Sequence, residues 1–383
     1  MTATKKCRAC GNIFTQESLL ELPEMPGAVQ NLPTSRDQAV ASGVVLDVKQ
    51  CVCCGLVQLT NDPVPYHKDV IRPGGVSVSM KARQRDQYKL FIERFSLMNK
   101  NILEIGSGRG EYLAILKELP VSAFGLEHNP EACKIANEKG LTTFQAYPTD
   151  LSGPPGGKIY DAFISTNVLE HVPDPGAFLR ACAGFLGENG VGMISVPDFE
   201  YELRDNYIFS FMSDHLSCFS PVTLRNVLSI SGLDVIEIFK NTQLNVITAY
   251  VSKHIQCDLT AAKEKNKKFN EIINDYIKTI LAGGGRIAVW GASHLAFSII
   301  ASSGIAKKLS YIVDSSPAKQ GRFSPAAGLE IFPPQHLRED PVNTILIMCP
   351  EYSKEIAAII EEKYSDIVHH VATFIDGALE IIR

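Results

Sequence analysis

Ile102-Leu103-Glu104-Ile105-Gly106-Ser107-Gly108-Arg109-Gly110 is an apolar run that breaks into three alternating glycines. Four apolar-rich residues make a short buried strand, and the glycines make a loop whose backbone a ligand can approach closely. Tyr112-Leu-Ala-Ile-Leu-Lys-Glu-Leu follows with the spacing of a helix. Strand, glycine loop and helix in that order open an α/β domain. Working downstream, the pattern predicts strand Ala123 to Glu127, helix Pro130 to Lys139, strand Thr142 to Ala146 and strand Tyr160 to Ser165. Upstream, a helix-like run passes through Tyr88-Lys-Leu-Phe-Ile-Glu-Arg-Phe. Strands alternating with helices imply a parallel, doubly wound sheet.

The loop chemistry separates two cofactor readings. A dinucleotide fingerprint needs Gly-x-Gly-x-x-Gly, and here the third glycine comes one residue early. An acidic residue two positions before the first glycine fits S-adenosylmethionine (SAM) instead. Glu104 would attract the ammonium of the amino-acid moiety, and Gly106, Gly108 and Gly110 would admit the ligand to the backbone. Glu127 at the end of the second strand would take both ribose hydroxyls, with His128 beside it. Ala146 ends the third strand and Asn167 follows the fourth, in Asn167-Val-Leu-Glu170-His171-Val-Pro-Asp-Pro. Ligands of doubly wound sheets lie off the carboxyl ends of the strands, so Asn167 and His171 fall at the cofactor and substrate mouth.

Ahead of the loop stand Cys7-Arg-Ala-Cys10-Gly11 and Cys51-Val-Cys53-Cys54-Gly55. A two-residue spacer lets both sulfurs of a tight turn face one ion, and two such knuckles supply four thiolates. Cys7, Cys10, Cys51 and Cys54 are the chosen ligands of a structural Zn2+. Cys53 would leave a cramped one-residue spacing. Around the knuckles the chain is short apolar pieces broken by Pro, Gly and Asn, a poor core that a metal can supplement.

The chain has 383 residues, 45% apolar and 21% charged, with a net charge of −5. Those values describe a globular protein and give no support to nucleic-acid binding by bulk electrostatics. No stretch approaches the roughly eighteen apolar residues of a membrane span. The N-terminus runs into Cys7 without the apolar region of a signal peptide. Ten cysteines are too sparse for a disulfide scaffold, so a cytoplasmic location is expected. The organisation predicted is a zinc-binding module over 1–80, a SAM-dependent methyltransferase domain over 81–250, and a C-terminal α/β Rossmann-like domain over 251–383. The last opens with an amphipathic helix, Leu259 to Leu281, carrying Phe269, Ile272, Ile273, Tyr276, Ile277 and Ile280 on one face.

With these motifs in order, the whole chain resembles the sugar C-methyltransferase family that acts on nucleotide-linked deoxy sugars. Cys54-Gly55-Leu56-Val57-Gln58-Leu59 is similar to the end of that family's zinc module. Asp214-His215-Leu216-Ser217-Cys218-Phe219-Ser220 resembles its Glu-His-Leu-Ser-Tyr-Phe-Ser stretch, and Asp314-Ser-Ser-Pro-Ala-Lys319-Gln320-Gly321-Arg322 its C-terminal Asp-x-x-x-x-Lys-x-Gly element. The family's Tyr-x-Glu-His is here Met212-Ser213-Asp214-His215, and its tyrosine-rich stretch is Tyr66-His-Lys-Asp-Val-Ile-Arg72-Pro-Gly-Gly75. These departures bear on the substrate more than on the reaction class.

The resemblance implies a class I SAM-methyltransferase fold and methylation of a carbon beside a ketone. That reaction needs a base for the α-proton and an enolate in line with the sulfonium methyl. His215 is the preferred base, Asp214 its neighbour, and His171 the second candidate as base or enolate stabiliser. In the C-terminal domain, Gly291, His294, Asp314, Lys319 and Arg322 are the candidate contacts for a nucleotide-linked sugar. The alternatives are a non-nucleotide small-molecule acceptor, transfer to oxygen, a non-catalytic SAM-binding protein, or an RNA-modifying enzyme. The last would need a basic surface that the net charge does not suggest.

Overall fold

The computed structural model describes residues 5–30, 32–70, 76–204, 208–254, 257–375 and 378–383. The chain forms two compact units, Met1–Ile255 and Gln256–Arg383.

The first unit is built on a seven-stranded sheet. Across it run Leu233–Asn241, Val246–Lys253, Leu186–Pro197, Tyr160–Thr166, Asn101–Ile105, Ser122–Glu127 and Thr143–Gln145. Only Val246–Lys253 is antiparallel to its neighbours; the others run parallel. This is the class I SAM-methyltransferase arrangement. The chain starts in the middle at Asn101–Ile105, winds to one edge, and returns at Tyr160–Thr166. The crevice between those two strands is therefore the switch point where such sheets bind ligands.

Strand residues alternate between the two faces of the sheet. Leu103 and Ile105 accordingly join one buried cluster with Phe163, Ile194 and Phe178. Ile102 joins the opposite cluster with Ala162, Ile164, Met193, Tyr88 and Phe91. Each such large side chain contributes about 1.5–3 kcal/mol by leaving water, which is why the strand is apolar throughout. Helix Val78–Arg94 lays Tyr88, Phe91 and Ile92 on this second face. Helix Pro130–Glu138 is started by Asn129, whose side chain accepts from the Ala132 amide, and by Pro130 in its first turn.

A four-stranded antiparallel sheet precedes it, in the order Leu20–Pro26, Gly43–Gln50, Val57–Leu59 and Ser217–Cys218. The Pro-broken stretch is thus more ordered than its sequence suggests. Pro23 and Pro26 are tolerated because Leu20–Pro26 is an edge strand. The fourth strand comes from the stretch between Leu186–Pro197 and Leu233–Asn241 of the large sheet, two residues after His215.

The second unit holds another seven-stranded sheet, with Ile312–Val313, Ile287–Trp290 and Thr344–Ile347 at its centre. Helix Thr260–Ala282 buries Phe269, Ile273 and Ile277. Ile272, expected on the same face, is 46% exposed. Among the described residues, no helix is long and apolar enough to cross a membrane.

Candidate cofactor and catalytic site

The glycine loop turns because its residues adopt left-handed backbone angles. Gly106 has φ 73° and Gly110 has φ 82°, where a Cβ is disfavoured. A Cβ on Gly106 would also lie 2.6 Å from Val168 Cγ2. The loop is pinned from the neighbouring strand: Gly106 and Ser107 amides donate to the Leu126 carbonyl at 2.8 and 3.2 Å. The Glu127 carboxylate accepts from the Gly108 amide at 2.7 Å and the Asn129 amide at 2.8 Å. Burial raises its pKa against the pull of those amides. Each oxygen still has a lone pair, so the group that could hold ribose hydroxyls also shapes the loop.

These residues open onto a cavity of about 680 Å³. Gly106, Gly108, Glu127, His128, Ala146, Asn167, His171, Asp214 and His215 all line it. Asn167 sits at φ 54°, a strained angle for a residue with a side chain. Gly110 is the N-cap of helix Glu111–Lys117. Glu104 is buried (3% exposed) and does not line the cavity.

In the same cavity two loops bring His171 and His215 together. Their ring centroids are 4.8 Å apart, edge to face. His171 lies on the turn Leu169–His171. Its Nδ1 must donate to the Asp214 carbonyl at 2.8 Å, because a carbonyl only accepts; the neutral ring therefore carries its lone pair on Nε2. His215 is reached by a turn, its amide donating to the Met212 carbonyl at 3.0 Å. A turn, unlike a strand, lets Asp214 and His215 face the same cavity. Burial and then the neighbouring His171 push His215 down to about 3, so it rests neutral. Burial raises Asp214, with His171 opposing. Among the described residues, Asp214 Oδ1 has no hydrogen-bond partner.

Sequence reasoning missed the strap that closes the cavity, residues 64–70. Lys68 bridges to Asp150 at 2.9 Å and lies 4.6 Å over the Tyr147 ring. Asp69 meets His128 Nδ1 at 2.9 Å. Tyr66 is occupied structurally: its hydroxyl accepts from the Val29 and Gln30 amides at 2.8 and 3.2 Å. The continuation of this strap, including Arg72, lies outside the described residues. Met212, where a tyrosine stands in the resembling family, lines the cavity. Locally it is held by turn bonds, the His67 and Asp69 amides donating to the Val64 and Tyr66 carbonyls at 3.0 and 2.7 Å; its side-chain ion pairs are with distant segments.

The four knuckle cysteines converge. Cys7 Sγ is 3.6 Å from Cys54 Sγ, and Cys10 Sγ is 3.5 Å from Cys51 Sγ. All four lie within 4.8 Å of one another. A tetrahedral zinc with bonds of about 2.3 Å places its sulfurs roughly 3.8 Å apart, so the donor set fits. Cys53 is exposed. Gln58, fully buried, donates to Cys7 Sγ at 3.1 Å. The close Cys7–Cys54 contact, together with amide donors, pulls the pKa of Cys7 down while it pushes that of Cys54 up.

In the second unit Gly291 follows its strand at φ 113°. Asp314 accepts from the Ala292 amide at 2.7 Å and the Ser316 amide at 2.8 Å. This repeats the relation of Glu127 to Gly108. Lys319 Nζ reaches Asp314 at 3.1 Å. Arg322 is exposed and donates to the Ala318 carbonyl at 3.0 Å. His294 begins helix His294–Ser303 and is exposed.

Comparison with known proteins adds two domain matches. Residues 80–238 match the model of a methyltransferase domain, and residues 258–374 that of a C-methyltransferase C-terminal domain. The ubiquinone biosynthesis O-methyltransferase of Bordetella avium is 28% identical over 100 residues, 25% of this chain and 42% of that protein. That of Parvibaculum lavamentivorans is 35% identical over 97 residues, 24% of this chain and 38% of that protein. The chain thus spans less than half the length of these curated relatives. A SAM-dependent methyltransferase of Aquifex aeolicus aligns over 45% of this chain and 98% of its own, at 13% identity and TM-score 0.36. One from Clostridium acetobutylicum aligns over 45% and 92%, at 12% identity and TM-score 0.37.

Proposed function

We propose that this SAM-dependent methyltransferase, which pairs a methyltransferase domain with a C-methyltransferase C-terminal domain, methylates a carbon beside a ketone of a nucleotide-linked sugar. The observation that carries the proposal is the histidine pair at 4.8 Å in the same cavity as the glycine loop. O-methylation needs only one base near a hydroxyl. Carbon methylation also needs a group to hold the enolate, and two imidazoles beside a buried carboxylate supply both roles.

SAM would lie along Gly106–Gly110, with Glu127 on its ribose, and supply a methyl carried on a sulfonium. With protein groups alone in the mouth, His215 is the base. A resting imidazole with so low a pKa is fully unprotonated, and the enolate formed beside it offsets the cost of charging it. His171 Nε2 faces the same space and would stabilise the enolate. The four cysteines would hold a structural zinc. Within the second unit, Gly291, Asp314 and Lys319, with His294 and Arg322, would bind a nucleotide: amides and cations for diphosphate, a carboxylate for ribose.

Calorimetric titration of the SAM-loaded protein with thymidine, guanosine and uridine diphosphates and with simple keto acids tests the acceptor class. One nucleoside diphosphate is expected to bind, and Asp314→Ala to weaken it by about tenfold or more, the loss of one charged hydrogen-bonding group. Binding of keto acids alone would replace the nucleotide-sugar reading with a small, non-nucleotide acceptor.

A further inference from the structure

We infer that Glu170, His171 and His215 form a second metal site, for a divalent transition cation at the floor of the mouth, separate from the four-cysteine centre. The inference rests on the cavity being the acceptor mouth and adds the group that would hold the acceptor's ketone.

Three independent features point to it. One ligand atom from each residue lies within 4.8 Å of the other two. His171 Nε2 and Glu170 Oε1 stand 3.9 Å apart, too far for a hydrogen bond. Two donors sharing an ion at about 2.0–2.2 Å sit roughly 3–4 Å apart, so only a small contraction is needed. Secondly, the Nδ1–H of His171 is held on the Asp214 carbonyl. That is the outer bond by which metal-binding histidines fix their tautomer, and it leaves the Nε2 lone pair on the Glu170 side. Thirdly, carboxyl groups gather around the cluster. Glu170 is 2% and Asp214 3% exposed, and Glu202 lies within electrostatic reach of Glu170 and Asp198. Lys240 pairs with Asp198 at 3.0 Å but is itself largely at the surface.

Two imidazoles and one carboxylate select ions such as Zn2+, Co2+, Fe2+ or Mn2+ over Mg2+ and Ca2+. Three protein donors leave a position open for the acceptor's keto oxygen, where the ion would polarise the carbonyl and hold the enolate. His215 then serves as a ligand, and the proton passes to Asp214. The α-C–H bond breaks with its proton going to Asp214 Oδ1 and its electron pair to the enolate. The enolate carbon next bonds to the sulfonium methyl, and the methyl–sulfur pair returns to sulfur as S-adenosylhomocysteine.

The test uses the full chain carrying one zinc per chain by metal analysis, enough for the cysteine centre alone, titrated with CoCl2 and followed by calorimetry, visible absorption and metal analysis. One cobalt per chain is expected beyond the zinc, with the weak visible bands of nitrogen and oxygen ligands and none of the charge-transfer absorption of thiolates. Glu170→Gln and His215→Ala are each expected to weaken cobalt at least tenfold, while His254→Ala, at an exposed histidine elsewhere, leaves it unchanged. Glu170→Gln preserves size, and circular dichroism confirms that it folds. No cobalt beyond the zinc, or cobalt indifferent to Glu170→Gln and His215→Ala, would overturn the site. Methyl transfer that persists in a chelator, with zinc retained, would also overturn it while leaving the proposed reaction standing.

Discussion

His215→Ala is expected to lower turnover by about 10³-fold while changing SAM affinity by less than about twofold. The asymmetry follows from position. SAM would occupy the glycine loop and Glu127, which hold each other through the Gly108 and Asn129 amides. His215 packs against His171, and the hydrogen bonds that hold the loop run to Leu126 and Glu127 rather than to its ring. As base or as metal ligand, its imidazole acts where charge develops, so its loss falls on the chemical step. Single-turnover kinetics beside calorimetric titration of SAM measures both quantities. Turnover within a few-fold of the parent would remove His215 from the chemistry. A parallel loss of SAM binding would mean that the histidine shapes the cofactor site.

Removing the metal from the cysteine centre is the second large effect. The loss should exceed about 3 kcal/mol, seen as a fall in Tm of roughly 6–12 °C. Turnover should fall much further than SAM binding, because the centre is tied to both histidine loops. Gln58, which donates to Cys7 Sγ, also accepts from the Arg8 amide at 2.8 Å. The strand carrying Gln58 pairs with Ser217–Cys218, and the Leu59 amide donates to the Leu216 carbonyl at 3.0 Å, one residue from His215. Arg8 donates to the Leu59 carbonyl at 3.1 Å, to Asn61, and to the Pro173 carbonyl at 3.4 Å, two residues from His171. Its part-buried guanidinium ties these carbonyls together, so opening the knuckle would release both segments at once. Cys51→Ser or prolonged chelation, followed by calorimetry and turnover, makes the comparison. An unchanged Tm and turnover in the metal-free protein would show that the knuckles fold and hold both loops without the ion.

What could be read in advance follows from what is local. The glycine loop and its strand were legible because three left-handed or tightly packed positions in nine residues leave few alternatives to glycine. Glu127 was legible because the end of the second strand always faces the ligand crevice. The cysteines were legible from spacing alone. Glu104 shows the limit: its place before the loop is a local fact, but whether its carboxylate turns to the cavity or into the core depends on packing, and here it is buried outside the cavity lining. The fourth strand of the small sheet was invisible for the same reason. Its partners lie some 160 residues away, and two residues, Ser217 and Cys218, carry no period. Glu170 reads as an ordinary member of a Leu-Glu-His-Val turn until His215 is brought beside it. The strap from Val64 to Val70 is placed over the cavity by tertiary ion pairs, Lys68 with Asp150 and Asp69 with His128, and no pattern announces them.

The central claim is transfer of the methyl to carbon through an enolate, and the atom methylated tests it most directly. Protein supplied with SAM carrying a 13C-labelled methyl and with nucleotide-linked keto sugars would be followed by NMR in deuterated water. The account predicts a labelled methyl bonded to the carbon next to the ketone, the former α-hydrogen lost to solvent. A labelled methyl on oxygen, with the α-hydrogens retained, would contradict it.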